Sequence, residues 1–205
     1  MRIQYRQAGL EVADVDDDPI VQFGIWLDQW LATEPVDGTT VVVATVDEEG
    51  WPGARAMLLK GVDERGFVFY TNRESPKGSA LDHAGRGALT CVWGGLERQV
   101  RVVGTVSRLG DEECDEYFAS RPRGSQIGAW ASRQSSVVAD RGVLELAAAE
   151  AEDRYPDSVP RPPWWGGFVL SPLTVEFWQG RPDRLHDRVL YRREADDWTI
   201  ERLSP

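Results

Sequence analysis

Residues 39–72 read TTVVVATVDEEGWPGARAMLLKGVDERGFVFYTN, and this stretch decides the class of fold. It contains three runs, at 39–46, 54–61 and 67–72, that are rich in the β-branched, aromatic and other apolar residues typical of strands. The intervening DEEG and VDERG have the composition of turns. Strands joined by short turns pair antiparallel, so the stretch predicts an antiparallel meander.

The rest of the chain adds helices and further strands. Asp18 as N-cap before Pro19 predicts a first helix, and Ser75 before Pro76 predicts a second helix that ends at Gly85. Helices are also predicted over 111–122 and 139–155, an irregular or partly helical stretch over 123–136, and strands over 87–93, 96–109, 166–180, 184–194 and 197–205. About seven or eight antiparallel strands with inserted helices favour an α+β fold with a barrel-like sheet over a doubly wound fold.

Length and composition restrict the classes of function. A chain of 205 residues fits one domain; we expect an N-terminal arm over 1–17 and a domain over 18–205, in which 164–205 supply the last strands. The net charge of −11 argues against non-specific binding to nucleic acid or to a membrane surface. The sequence predicts no membrane span and no metal site. Two cysteines cannot form a disulfide framework, so a reducing cytosol is the predicted location.

Cations gather in four short stretches of this acidic chain. They are RAMLLK at 55–60, SPKG at 75–78, YFASRPRGSQ at 117–126 and RPDRLHDR at 181–188. Arginine, lysine, hydroxyls and the free N–H groups of a helix N-terminus are the groups that hold phosphate. Four such stretches suggest sites for two phosphates.

Each stretch also has a purely structural interpretation. Arg55 and Lys60 lie on opposite faces of a regular strand and could both be solvated. Ser75 and Lys77 fit a helix cap as well as a phosphate site, and the residues alone leave both open. Pro122 should end the preceding helix near Arg121, which places that arginine at a helix end.

The last cation stretch alternates along a predicted strand. Arg184, His186 and Arg188 would then point to one face, where Asp183 and Asp187 could neutralise them as surface ion pairs. The residues alone favour that plain interpretation. Arg181 is predicted to be a solvated surface arginine.

A resemblance to a known family gives these stretches a function. RAMLLKG, GFVFYTN, SPKG, LERQVRVVG, YFASRPRGSQIGAWAS and RLHDR, in this order and over nearly the whole chain, resemble pyridoxine/pyridoxamine 5′-phosphate oxidases. The resemblance implies a split β-barrel that acts as a homodimer with FMN at the subunit interface. It also implies oxidation of pyridoxine or pyridoxamine 5′-phosphate by O₂ to pyridoxal 5′-phosphate and hydrogen peroxide.

The resemblance also implies roles for individual residues. The FMN-binding set is Arg55, Ala56, Met57, Leu58, Leu59, Lys60, Tyr70, Thr71, Lys77, Gln99, Gln134, Ser135, Trp178 and Arg188. The substrate-binding set is Lys60, Tyr117, Arg121, Ser125, Arg184, His186, Arg2 and Tyr5. Within the second set, Arg184 and His186 would lie over the pyridine ring as the catalytic residues, and Arg2 with Tyr5 would close the site as a lid.

Two positions depart from the family pattern, and rival functions stay open. Pro76 stands where the family often has a basic residue, which predicts one phosphate contact fewer, and RIQY at 2–5 differs from the family's RREY-like lid pattern. A phenazine-biosynthesis oxidase of the same fold is one rival, although the phosphate cradle in YFASRPRGS argues against it. A non-catalytic flavin- or pyridoxal-phosphate-binding protein and a deazaflavin-using relative are the others.

Overall fold

The computed structural model describes residues 9–205, in which nine strands form one antiparallel sheet. The strands are β1 (Thr40–Val46), β2 (Pro52–Leu58), β3 (Gly61–Asp63), β4 (Gly66–Asn72), β5 (Arg86–Trp93), β6 (Arg98–Arg108), β7 (Trp165–Gln179), β8 (Asp187–Glu194) and β9 (Asp197–Arg202). Their order is β2-β1-β5-β6-β7-β4-β3, with β8 paired to β7 and β9 paired to β8. The sheet curls into a half-barrel, which confirms the predicted α+β split-barrel class.

The meander predicted for residues 39–72 is right in its antiparallel pairing but wrong in placing all three strands next to one another. β1 and β2 form an antiparallel hairpin, as expected. The third predicted strand, β4, instead lies at the far end of the sheet with β3, because β7 takes the position beside it. Strand pairing over so large a sequence separation leaves no local signal in residues 39–72.

β7 is the strand at which the sheet divides. One edge pairs with β6 along its length, whereas the other edge pairs first with β4 at 165–170 and then with β8 at 174–179. The register shifts between Val103 and Gly104, opposite Pro172. A Cβ at Gly104 would lie 2.0 Å from the Ser171 carbonyl oxygen, so only glycine allows the strands to approach at this irregularity.

Five α-helices lie within the described residues. They are α1 (Pro19–Leu31), α2 (Pro76–Ala84), α3 (Asp111–Ser120), α4 (Arg123–Ala131) and α5 (Arg141–Arg154). The predicted caps are confirmed: the Asp18 carboxylate accepts from the Ile20 N–H, the Ser75 hydroxyl accepts from the Gly78 N–H, and Gly85 ends α2 with φ 57°. No helix within residues 9–205 is both long and apolar enough to cross a membrane.

The main core lies between α1 and the concave face of the sheet. Phe23 and Trp26 of α1 pack with Trp93, Phe67 and Phe177, and Phe23 meets Phe67 edge to face at 4.9 Å. A second apolar cluster joins α3, α4 and α5 to the start of β7 through Phe118, Ile127, Ala151 and Trp165. This second cluster fixes α3 and α4 beside β4, and a cleft opens there.

Candidate active site

A cleft of about 510 Å³ opens between β2, β4, the start of α2 and the α3–α4 pair. Its wall brings together residues that are up to 109 positions apart along the chain, from Ala56 to Trp165. The predicted site residues that line it are Ala56, Met57, Leu58, Lys60, Tyr70, Thr71, Lys77, Tyr117, Arg121, Ser125 and Gln134. Three of the four cation stretches therefore meet at one place.

Lys77 stands at the N-terminus of α2 and faces the cleft. Its ammonium group lies 3.1 Å from the Ser75 hydroxyl oxygen and 2.6 Å from the Gln134 amide oxygen, to which the Thr71 hydroxyl also donates at 3.2 Å. Ser75 therefore caps the helix and also contacts Lys77. Burial, together with the positive charge of Arg55, lowers the pKa of Lys77. An anion bound beside Lys77 would stabilise its charged form.

Arg121 lies at the break between α3 and α4, where Pro122 was expected to end the helix. Its guanidinium packs over the Trp165 ring at 4.8 Å. Its Nη1 is buried and has no hydrogen-bond partner among the described residues. Burial lowers the pKa of Arg121, against the opposing effect of Tyr117. A buried guanidinium nitrogen without an acceptor is costly, and an anion in the cleft would supply that acceptor.

Three aromatic rings form the wall beside Arg121. Tyr70 stacks on Tyr117 at 4.0 Å and on Trp165 at 5.3 Å, with interplanar angles of 16° and 10°. Burial raises the pKa of Tyr70 to about 12, so its hydroxyl is protonated at neutral pH. The rings offer a flat apolar surface next to cations, which suits an aromatic ligand that carries a phosphate.

The three cations that line the cleft, and Arg55 close to them, have no acidic partner among the described residues. No carboxylate of the described residues lies within ion-pair distance of Arg55, Lys60, Lys77 or Arg121. Lys60 and Lys77 are also the only lysines in the sequence. In a chain with 34 acidic residues this local separation of charge marks an anion site.

A second group of predicted residues lies at the opposite end of β7. Gln99, Trp178 and Arg188 are cross-strand neighbours on β6, β7 and β8 and share one face of the sheet. Arg188 is held by the buried Glu176, which accepts from Nε at 2.8 Å and from an Nη at 3.1 Å. This fork raises the pKa of Arg188.

The strand predicted for 184–194 begins later than expected. β8 starts at Asp187, and Arg184 lies in the short 3₁₀ turn Pro182–Arg184, so Arg184 and His186 do not alternate with Arg188 along a strand. Asp183 and Arg184 both have positive φ, 58° and 63°. The turn itself contains no glycine, and its Pro-Asp pair was a weaker signal for a turn than the alternating pattern was for a strand.

The predicted ion pairs around this turn are also corrected. Asp187 contacts Arg202 and Arg181 instead of Arg184 or Arg188, and Arg188 pairs with Glu176. Arg181 is therefore not a freely solvated arginine. The His186 ring lies 4.6 Å from the Trp178 ring, and its Nδ1 accepts from the Arg181 N–H, which leaves Nε2 to carry the proton of the neutral ring.

The two groups do not meet within one chain. Tyr70 pairs with Gly167 near the start of β7, and Arg188 pairs with Trp178 near its end. Trp178 lies eleven residue steps beyond Gly167, roughly 36 Å along the strand at about 3.3 Å per residue. The cleft wall accordingly includes neither Gln99 nor the 178–188 residues.

The remaining predicted residues take other positions. Leu59 is buried in the main core, and the Arg55 guanidinium donates to Thr45 Oγ1 and to the Val43 and Gly53 carbonyl oxygens. Ser135, with φ 71°, lines an adjoining cavity of about 860 Å³ with Gln134. Arg2 and Tyr5, the predicted lid, lie outside the described residues.

Sequence reasoning missed Trp165 and Glu176. Trp165 belongs to the aromatic wall, and its place beside two glycines fitted both a core and a ligand surface. A Cβ at Gly166 would lie 2.3 Å from the Arg73 guanidinium, and one at Gly167 would lie 2.7 Å from the Tyr70 ring. Gly166 therefore leaves room for the Arg73 guanidinium, and Gly167 leaves room for the Tyr70 ring. Nothing in the sequence singled out Glu176 among the other acids.

Fold and cleft together define a split-barrel protein with a cationic, aromatic-walled anion site. The family described as "Pyridoxamine 5'-phosphate oxidase" matches residues 31–155, and the one described as "Pyridoxine 5'-phosphate oxidase C-terminal dimerisation region" matches residues 165–205. The pyridoxine/pyridoxamine 5′-phosphate oxidase of Burkholderia thailandensis is 52% identical over 208 residues, which cover 100% of this chain and 97% of that protein. The chain belongs to the pyridoxamine 5′-phosphate oxidase family, which confirms the resemblance.

Two solved structures are also similar. PhzG from Burkholderia lata, in complex with tetrahydrophenazine-1-carboxylic acid, aligns with a TM-score of 0.91 and 29% identity over 97% of this chain and 99% of that one. A pyridoxamine 5′-phosphate oxidase-related, FMN-binding protein from Nostoc punctiforme aligns with a TM-score of 0.74 and 16% identity over 93% of this chain and 100% of that one. The second likeness concerns the fold alone.

Proposed function

We propose that this chain is an FMN-dependent oxidase that converts pyridoxine 5′-phosphate, pyridoxamine 5′-phosphate or both to pyridoxal 5′-phosphate. Each turnover moves two electrons from C4′ of the substrate to O₂ and releases hydrogen peroxide; the amine substrate also consumes water and releases ammonia. The observation that carries the proposal is the cleft in which Lys60, Lys77 and Arg121 have no carboxylate partner among the described residues and Arg121 keeps a buried, unpaired Nη1. The 52% identity to the Burkholderia thailandensis oxidase supports the same activity.

The donor set of the cleft fits the FMN that the family implies. Lys77 at the N-terminus of α2 and Arg55 close to it would hold the cofactor phosphate, and Thr71 and Gln134 would bond polar edges of the ring. Segment 56–60 and Tyr70 supply further wall. When bound, FMN supplies the redox chemistry by taking electrons from the substrate and giving them to O₂.

The substrate phosphate would lie deeper in the same cleft. Arg121 offers its unpaired Nη1, and Lys60, Tyr117 and Ser125 line the same wall and can add charge and hydroxyl groups. The stack of Tyr70, Tyr117 and Trp165 would exclude water from the pyridine ring. Each of these residues binds or orients; none of them takes a proton in this proposal.

The second group of predicted residues would come from a partner copy in a homodimer with FMN at the interface. The matched dimerisation region spans 165–205 and contains β7, β8 and β9. The sheet face that carries Gln99 and Trp178 also exposes Val92 and Val103, at 63% and 46%. A second copy would cover these apolar residues and bring one chain's 178–188 segment to the other's cleft.

Arg184 and His186 would act at the substrate ring. Arg184 is exposed on its strained turn and could lie flat over the ring, and His186 could hold a proton at Nε2 because Nδ1 is already bonded to the Arg181 N–H. Arg2 and Tyr5 as a lid, a single domain over 18–205 and a cytosolic location complete the proposal. One sheet from Thr40 to Arg202 and two buried, unbridged cysteines agree with the last two points.

A phenazine oxidase is the second candidate, favoured by the TM-score of 0.91 to PhzG. The cations at Lys60 and Arg121 weigh against it, because an unphosphorylated carboxylic acid needs fewer of them. One experiment separates the candidates. The purified protein loaded with FMN is mixed anaerobically with each phosphorylated vitamer or with a dihydrophenazine carboxylate. Bleaching of the flavin absorbance by a vitamer, followed by peroxide on adding air, supports the oxidase; bleaching by the phenazine alone would overturn it.

A further inference from the structure

Asp187 is an acidic residue placed directly between two predicted site residues, His186 and Arg188. It is 8% exposed, and its carboxylate accepts from the Leu10 N–H at 3.0 Å and from Arg202 Nη1 at 2.8 Å. Arg181 Nε lies 3.4 Å from the same carboxylate. One buried side chain therefore joins the start of the described chain, the last strand and the turn before β8.

Arg202 completes a clamp on the N-terminal segment. Its Nη2 donates to the Leu10 carbonyl oxygen at 2.8 Å and to Glu11 at 2.7 Å, while its Nη1 bonds Asp187. The N–H and the C=O of Leu10 are both bound in this way, and the Leu10 side chain is buried in the main core. The segment that leads to residues 1–8 is thus anchored on Asp187 and Arg202.

The same carboxylate closes the turn that carries Arg184. Arg181 bonds Asp187 through its side chain and His186 through its backbone N–H, so residues 181–187 form a loop tied at both ends. Inside the loop Asp183 and Arg184 hold positive φ values. Such conformations are unfavourable in non-glycine residues and persist only where surrounding contacts fix them.

We propose that Asp187 is a positioning residue: it holds the 181–187 turn in the conformation that presents Arg184 and His186, and it anchors the N-terminal segment to that turn. This inference rests on the proposed function for the roles of Arg184 and His186. Burial raises the pKa of Asp187, but the bonds from Arg202 and Leu10 outweigh it and keep that pKa below its ordinary value. The clamp is therefore charged at neutral pH.

The test uses the full-length, FMN-loaded protein and Asp187→Asn, which keeps the shape of the side chain and removes its charge. We expect kcat per bound FMN with pyridoxamine 5′-phosphate to fall by at least about tenfold, since small misplacements of reacting groups are costly. The Leu10 amide should also exchange its hydrogen with solvent faster than in the wild type, because its bond to the Asp187 carboxylate is weakened. Glu201→Gln is the matched control: its carboxylate is exposed on the same hairpin and pairs with Arg192 at 3.8 Å.

A purely structural role for Asp187 would lower the fraction of folded, FMN-loaded protein but leave kcat per bound FMN and exchange of the Leu10 amide unchanged. That result, with an active wild type, overturns the inference. If Asp187→Asn does not fold, Arg202→Gln removes the same clamp from the other side and should reproduce both effects. A wild type without turnover would instead contradict the proposed function, and exchange of the Leu10 amide would still test the clamp.

Discussion

The cations near the two ends of β7 differ in whether they have acidic partners. At the start of β7, Arg121 and Lys77 face a cleft and have no acidic partner among the described residues. At its end, Arg188 is held by Glu176 and Arg202 by Asp187, and both acids are buried. A buried cation without an acid marks the place of an anionic ligand, whereas a cation bound to a buried acid fixes the residues around it.

The largest effect should come from Arg184, the exposed arginine at the clamped end. Its side chain makes no hydrogen bond or ion pair with another described residue, so Arg184→Ala should leave the free energy of unfolding and FMN binding unchanged. Turnover should fall by about 10²–10³-fold, as for loss of a group that stabilises a transition state. Stopped-flow flavin reduction measures it, with the exposed Arg193→Ala as control. Normal reduction in Arg184→Ala would remove this arginine from the proposed site.

Replacing Arg188 should instead lower the free energy of unfolding. Arg188→Met leaves the Glu176 carboxylate buried, with Arg101 at 3.4 Å as its remaining ion-pair partner among residues 9–205. The FMN-free protein should lose about 2 kcal/mol of unfolding free energy, because the buried carboxylate loses its two charge-assisted hydrogen bonds to Arg188. Urea denaturation measures it, and Arg192→Met, which breaks an exposed pair, should cost under about 0.5 kcal/mol. Equal stability of Arg188→Met and the wild type would mean that Arg188 is available for FMN instead.

Replacing Arg121, unlike replacing Arg188, should affect substrate binding and not stability. Arg121→Met removes a buried nitrogen that has no acceptor, so the midpoint of thermal unfolding without ligand should stay the same or rise. KM for the phosphorylated substrate should increase roughly thirtyfold, which corresponds to about 2 kcal/mol for a charge-assisted hydrogen bond. Arg123→Met, which breaks an exposed pair with Glu152, is the control for kinetics. A fall in thermal midpoint with unchanged KM would make Arg121 a structural arginine.

Lys77 should give the smallest effect, seen in its pH dependence. Its pKa in the folded protein lies below the ordinary 10.5, so the folded protein binds fewer protons than the unfolded chain between those two values. Without FMN, the unfolding free energy of the wild type relative to Lys77→Met should therefore rise with pH across that window; the comparison cancels the opposite contributions of Cys91 and Tyr70, whose pKa values are raised by burial. FMN affinity should fall over the same window, because a bound phosphate favours the charged lysine.

With only two lysines in the chain, ¹³Cε resonances can follow Lys77 directly. Lys77→Met removes the lysine's share of both pH slopes and assigns the resonance, whereas Lys60→Met should leave the Lys77 titration in place. A titration of Lys77 that FMN does not shift upward would contradict its role at the cofactor phosphate.

Local residue patterns predicted the helix starts well, but they did not predict which distant strands pair. Asp18 and Ser75 cap helices through their own side chains, which a sequence reveals directly. The pairing of β4 with β7 joins residues about a hundred positions apart, for which residues 39–72 hold no signal. The positive φ of Arg184 depends on Asp187 and its partners, so the alternating pattern wrongly placed Arg184 and His186 on the strand.

The candidate site was likewise predictable where local residue types mark it and unpredictable where the fold brings distant residues together. Residue types and short motifs marked the cations of the cleft, because phosphate requires them. Trp165 and Glu176 were missed, since their partners Arg121 and Arg188 reach them only through the fold. That the two groups of predicted residues lie at opposite ends of β7 was likewise not readable from the chain.

The position of β7 also has a consequence for how the chain is made. By the time residue 164 has been synthesised, β6 and β4 are present, but each lacks its common neighbour, and the intervening helices α3–α5 separate them from it. Two open strand edges then stay exposed until β7 emerges and fills the gap. We expect products truncated near residue 164 to aggregate in translation extracts, and products that extend past Gln179 to remain dispersed.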